Sequence, residues 1–223
     1  MSERNPNRRR YVAGAAVCWL VSGLGYLTVE AVVAGAFRDH YSYAYDYISD
    51  LGRRIDSPLA YLMNFAFCLQ GTGFVVGALL AGRAVGSRGG LFVALATANA
   101  LGNVLVGTFH TGLTAEANGT IWVHRTGAVL AIVGGNCAIV AGSAAIRKAV
   151  GARWFYGVSA GVAALGLVSL VMLAIGSTTG TTVILPAATW ERGSVYSIIG
   201  WQMFAAVCLL RRPAVTGFVR EVS

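Results

Sequence analysis

Charge is scarce in this chain: Asp, Glu, Lys and Arg supply only 12% of its 223 residues, whereas a soluble domain carries about a quarter. That shortage argues against a fold bathed in water. Cysteine is also sparse. Cys18, Cys68, Cys137 and Cys208 sit singly inside apolar blocks, without the paired spacing of metal or redox motifs, so they read as small buried hydrophobes. The only histidines are His40, His110 and His124. All lie at or beyond a block's outer boundary and none in the middle of one, which argues against intramembrane haem ligation, and no two are spaced for a helical metal pair. Ionisable residues are missing from the middle of every apolar block, where a proton-coupled carrier would place them. Only Gln70, Asn99, Asn136 and Gln202 approach that depth.

Long hydrophobic runs are what the chain has instead. Apolar residues make up 56% of it, the mean hydropathy is +0.65, and the runs cover 11–37, 59–81, 91–108, 121–145, 154–175 and 193–210. A helix of about 20 residues rises far enough to cross a hydrocarbon layer of about 30 Å. The expectation is an all-α, integral membrane bundle of six transmembrane helices, forming a single domain over 1–223. Arg8, Arg9 and Arg10 ahead of the first run resemble a signal peptide. That run is about 27 residues long, beyond the usual cleaved segment of about 7–15, so it is expected to be retained.

Orientation follows from the basic residues. If the N terminus is inside, Arg4, Arg8, Arg9, Arg10, Arg83, Arg88, Arg147, Lys148, Arg153, Arg211, Arg212 and Arg220 all face the cytoplasm, which is twelve of the seventeen. An excess of Lys and Arg inside sets orientation, so both termini are expected to be cytoplasmic and the protein to sit in the plasma membrane. The net charge of +8 then reflects this partition and contact with anionic lipid; nucleic acid need not be invoked as a partner.

Twenty-nine glycines fit the same picture, because small residues let membrane helices approach closely. They recur every four residues in Gly73, Gly77 and Ala81, in Ala94, Ala98 and Gly102, in Gly127, Ala131 and Gly135, and in Gly157 and Gly161. Each set is expected to be a packing face.

Polar chemistry gathers at the outer side. The first outer connection carries Tyr41, Tyr43, Tyr45 and Tyr47 at alternate positions, suited to an interfacial aromatic belt or an extended strip lying on the bundle. Asn64 and Asn103 should lie at matching depth, about 10 Å below the outer helix ends. With Glu30, Ser49, Asp50, His110 and His124 they could bound an outward-open pocket, or they could simply tie helices together. Arg125, at the head of the fourth helix, and Glu191 with Arg192, before the sixth, could pair across the mouth or clamp a phosphate or carboxylate headgroup. His110 and His124, completed by His40 or Asp50, would supply a zinc donor set; the alternative is that they are hydrogen-bonded helix caps.

The run Tyr47-Ile48-Ser49-Asp50-Leu51-Gly52, followed by a helix containing Asn64, resembles the "YISDLG" segment of a prokaryotic six-helix membrane family, domain of unknown function 998. Glu191-Arg192, with Trp201 in the last helix, is similar to that family's Gln-Arg and Trp positions. At Gly107 to Thr111, Gly-Thr-Phe-His-Thr stands where the family has Gly-x-Phe-Pro, so the resemblance assigns His110 no role. The Ile-Ser-Asp-x-Gly pattern also resembles the broader Frag1, DRAM and Sfk1 group, which implies lipid or glycolipid-anchor handling. The expected function is recognition of a lipid or amphiphile headgroup, with membrane lipids as partners. The alternatives are a membrane-embedded hydrolase or acyl transferase using His110, His124 and Asp50 with zinc, and an assembly partner for another protein or for copies of itself.

Overall fold

All six apolar runs become long helices. The computed structural model describes residues 6–211, in which α1 spans Pro6–Ala36, α2 Ala60–Val85, α3 Gly90–Thr108, the short α4 Leu113–Ala117, α5 Ile121–Val150, α6 Trp154–Thr179 and α7 Ala187–Leu210. All but α4 are long and apolar enough to cross a membrane. Arg4, Arg212 and Arg220 lie outside the described residues, as does the side chain of Arg88. Two 3₁₀ turns, Ile48–Gly52 and Gly86–Gly89, lie in the connections.

The helix ends follow local chemistry. Gly151 and Gly180 close α5 and α6 in the left-handed region, at φ 78° and 67°, their N–H groups returning to the Arg147 and Gly176 carbonyls, as helix C-termini commonly do. Pro186 opens α7, so this helix begins six residues before the apolar run at 193 and takes Glu191 and Arg192 into its first two turns. The sequence places those charges ahead of the helix because it shows no partner for them; the fold supplies one.

Consecutive long helices pack side by side, α1 on α2, α2 on α3, α3 on α5, α5 on α6 and α6 on α7, and α7 returns to α1 to close the ring, with α5 also touching α7. Two apolar clusters fill the ring. At one end Trp19, Phe74, Phe92 and Trp201 interlock, ring centroids 5.7–6.5 Å apart, with the indole N–H groups donating to the Phe74 carbonyl and to Ser159 Oγ. At the other, Tyr26, Val33, Ile48, Leu51, Met63, Phe67 and Ile199 pack together. Between the clusters lies a buried amide layer: Gln70 donates to Gln202 at 3.1 Å, Asn99 to the Ala131 carbonyl at 2.7 Å, and Ser197 to Asn136 at 2.8 Å. With no water in the bilayer core, these groups satisfy one another.

Close helix approach depends on small residues, most tightly where α3 meets α5. A Cβ added at Gly102 would run into the backbone of Gly127 and Ala131. Gly157 and Gly161 differ from the expectation for them, since nothing within 4 Å would meet a Cβ at either. Gly102→Val is therefore expected to lower the unfolding temperature in detergent, overpacking costing about 1–3 kcal/mol. Gly157→Ala should leave it unchanged or raise it, an exposed Gly-to-Ala change in a helix being worth up to about 1 kcal/mol. Thermal unfolding of the two variants measures the contrast.

Candidate functional site

One end of the ring carries the 37–59 connection, the 109–120 connection and the start of α7, and is called here the loop end. Its organising group is Arg192, 6% exposed. Nη1 donates to the Asp46 carbonyl at 2.8 Å and to the Ala188 carbonyl at 3.2 Å, and Nη2 donates to the Tyr41 hydroxyl. The guanidinium lies over the Tyr43 and Tyr41 rings, 4.9 and 5.6 Å from their centroids, and Nε is 3.9 Å from Glu30 Oε1. Glu30 is 1% exposed and accepts a 2.7 Å hydrogen bond from Tyr196, while its Oε2 and Arg192 Nε have no hydrogen-bond partner among the described residues.

The neighbouring residue completes the attachment. Glu191 accepts from the Ile48 N–H at 2.5 Å, and Thr189 donates to the Ala44 carbonyl at 3.0 Å. Three residues in the first two turns of α7 thus hold the backbone of the 44–48 segment. Of the alternating tyrosines, Tyr41 and Tyr43 lie against the Arg192 guanidinium, Tyr43 with about half its surface exposed, and Tyr45 is more exposed still. The Tyr41 hydroxyl accepts from Arg192 and donates to the Tyr47 carbonyl. Burial pushes its pKa above the ordinary 10, with Arg192 opposing, so it stays a hydroxyl.

The Tyr47–Gly52 run then turns toward α2. Asp50 accepts from the Tyr47 N–H at 3.1 Å and from Thr111 Oγ1 at 3.3 Å, with Arg53 at 3.6 Å; burial raises its pKa above the usual 3.8, and the Tyr47 and Arg53 contacts oppose that. A Cβ at Gly52 would strike Asn64 Oδ1, so glycine allows the Asn64 amide to donate to the Gly52 carbonyl at 2.9 Å. The same Nδ2 lies 2.8 Å from His110 Nε2. Because the Gly52 carbonyl can only accept, Nδ2 is the donor on this side of the amide, so His110 Nε2 accepts and its ring proton sits on Nδ1. His124 has the opposite arrangement: Nδ1 donates to the Phe109 carbonyl at 2.6 Å.

The expected pocket residues therefore divide. Glu30, Glu191 and Arg192 form the attachment of the first connection; Asp50, Asn64 and His110 form a second cluster, with Ser49 buried in the turn between them. His124 is buried behind Phe109. Asn103 belongs to the amide layer, bonded to the Asn99 carbonyl and to Gln70, and Arg125 is exposed, apart from Arg192. His110 and His124 do not converge with Asp50 as metal ligands. Among the described residues no three of His, Cys, Asp and Glu are grouped to hold a metal ion, and the Asn64 amide occupies the lone pair of His110.

Two cavities adjoin these clusters. One, of about 530 Å³, lies between the 53–56 and 108–120 segments, with Arg53, Arg54, His110 and Thr111 in its walls. The other, of about 390 Å³, is bounded by Phe37, His40, Tyr41, Asp46 and Asp50. Arg53 and Asp56, in a 2.7 Å ion pair, line both. Arg53, Arg54 and Tyr196 were not among the expected site residues. Arg53 and Tyr196 had spacing as their only signal, Arg53 three residues from both Asp50 and Asp56 and Tyr196 one turn past Arg192; Arg54 had none.

Residues 12–208 match the family model described as "Protein of unknown function (DUF998)". The chain belongs to this family. No curated protein and no solved structure matches it. As a DUF998 chain it is a multi-pass helical protein of the membrane type, and the "YISDLG" run is the turn that Asp50 and Gly52 shape.

Removing one member of the buried Glu30–Arg192 pair strands the other. Arg192→Met is expected to cost about 3–5 kcal/mol, and Glu30→Leu with Arg192→Met to recover part of it; thermal unfolding of the singles and the double checks this, and strict additivity would contradict it. His110 supplies a pH prediction. Burial, Arg54 and His124 hold its pKa below the ordinary 6.5, so the unfolded chain takes up the proton first. Stability should be complete above about pH 6.5 and fall as pH drops through that value. Unfolding temperatures between about pH 7.5 and pH 5 should show this slope, reduced in His110→Gln.

Proposed function

We propose that the loop end faces outward and binds the phosphate-bearing headgroup of a membrane lipid in the larger cavity. The observation that carries this reading is Arg54. Its guanidinium stacks over the Tyr61 ring, 4.8 Å from the centroid, in the wall of the 530 Å³ cavity, with no carboxylate in salt-bridge reach among the described residues. An unmatched arginine beside a ring attracts an anion and pairs bidentately with phosphate oxygens. Exposed Ile55 and Leu113, 85% and 83% accessible, share that wall and supply apolar surface for the lipid backbone. His110, protonated on Nδ1, adds a neutral donor.

Arg192, first expected as an anion contact, acts here as a positioning residue, since two backbone carbonyls, Tyr41 and Glu30 already take its charge. Arg53 is half committed to Asp50 and Asp56, which leaves Arg54 as the principal anion contact. Outward orientation draws its support from the basic residues concentrated at the opposite end.

The test is lipid retention by the purified protein, read by native mass spectrometry after extraction into mild detergent. The wild type should keep phospholipid. Arg54→Gln should weaken retention by roughly tenfold or more, the loss expected of one charged hydrogen bond at about 1.5–3 kcal/mol. Retention unchanged in Arg54→Gln contradicts the reading.

A further inference from the structure

The amide layer between the two apolar clusters encloses a chamber of about 30 Å³, with Tyr26 from α1, Gln70 from α2 and Asn99 and Asn103 from α3 in its wall. Backbone carbonyls fix which way each amide points, because a carbonyl can only accept. Asn99 Nδ2 donates to the Ala131 carbonyl at 2.7 Å, Asn103 Nδ2 to the Asn99 carbonyl at 3.0 Å, and Gln202 Nε2 to the Trp19 carbonyl at 3.1 Å. Gln202 therefore turns Oε1 toward Gln70, and Gln70 Nε2 is the donor of that pair. The amide N–H groups are thus drawn into the frame, and three amide oxygens remain. Gln70 Oε1 and Asn99 Oδ1 receive only the long approaches of Asn103 Nδ2, at 3.4 and 3.3 Å. Asn103 bonds through Nδ2 alone, so its Oδ1 has no donor among the described residues. The fourth polar group is the Tyr26 hydroxyl. Tyr26 is 1% exposed, its ring packs edge-on to Phe67, and its Oη has no hydrogen-bond partner among the described residues.

A ligand that suits these walls brings donors to amide oxygens and accepts from one hydroxyl. About 10–15 Å³ holds one water, so the chamber has room for one or two and for no organic molecule. A monovalent cation would satisfy the oxygens but offers nothing to the Tyr26 O–H. It would also stand in a membrane interior with no carboxylate in the chamber wall, where an ion without a counter-charge is heavily penalised, whereas an ordered water costs little to immobilise. We propose that the chamber is an internal water site. The water accepts from the Tyr26 hydroxyl and donates to Asn103 Oδ1 and to one of the other two amide oxygens. It ties α1 to α3 across the middle of the ring, where the two helices are not neighbours, and it gives the Tyr26 hydroxyl a bond that the protein frame does not supply.

The experiment compares the purified full chain with Tyr26→Phe, by thermal unfolding in mild detergent and by a density map at a resolution that shows ordered water. The sign of the unfolding shift separates the possibilities. If the hydroxyl is unbonded in the folded protein, removing it relieves a buried polar atom, and the unfolding temperature stays or rises. If water holds it, Tyr26→Phe lowers the unfolding temperature by about 2–4 °C, the loss of one net hydrogen bond in a chain of this size. The wild-type map should show a peak about 3 Å from both Tyr26 Oη and Asn103 Oδ1, lost or displaced in Tyr26→Phe. A wild-type map without that peak overturns the inference, as does an unfolding temperature unchanged or raised in Tyr26→Phe. A wild-type unfolding temperature that rises when sodium replaces choline at constant ionic strength, in a way that Tyr26→Phe abolishes, would make the ligand a cation and overturn it too.

Discussion

A single buried cation organises the loop end. Arg192 enters the bundle in the second turn of α7 and would be costly there alone. It is made tolerable by Glu30 from α1 and, more than by that 3.9 Å approach, by the Asp46 and Ala188 carbonyls and by the Tyr41 and Tyr43 rings. The consequence is mechanical. To satisfy the guanidinium, the 41–46 segment must lie down on α7, and once it does, the Ile48 N–H meets Glu191 and the Tyr47–Gly52 turn is delivered to Asn64 on α2. A charge on the sixth membrane helix thereby fixes a connection between the first and second.

That connection supplies walls to both cavities. Phe37, Tyr41, Asp46 and Asp50 bound one, and Arg53, Arg54 and Asp56 bound or separate the two. The division of labour among the arginines follows from their surroundings: Arg192 is buried with both terminal nitrogens bonded to protein acceptors, Arg53 is shared between two aspartates, and Arg54 stands over Tyr61 with no carboxylate in reach among the described residues. The histidines divide likewise. His110 accepts from Asn64 and His124 donates to Phe109, so the pair that the sequence offers as metal ligands is tied separately into the frame.

Much of the fold was legible because membrane spans declare themselves by length and by the absence of charge. The ends that moved show the limit of that signal. Glu191 and Arg192 read as residues preceding a helix because their partners, Ile48 and Asp46, lie more than 140 positions away. Small-residue spacing located the α3–α5 contact at Gly102 but could not separate it from Gly157 and Gly161, which have the same pattern and no neighbour. Asn64 and Asn103 look equivalent by depth, yet Asn64 faces the turn that Gly52 admits and Asn103 joins the amide layer. Helix depth is written in the sequence; helix rotation depends on which faces pack. Arg54 carried no sequence signal at all, because its distinction is a missing partner.

Arg192 holds the 41–52 segment against α7, and amide hydrogen exchange tests this most directly. In Arg192→Met exchange should quicken at Tyr47, Ile48 and their neighbours through Gly52 by more than it does in α2 and α5, whose slowest amides follow only the global loss of stability. Exchange in the 41–52 segment as slow as in the wild type would contradict it.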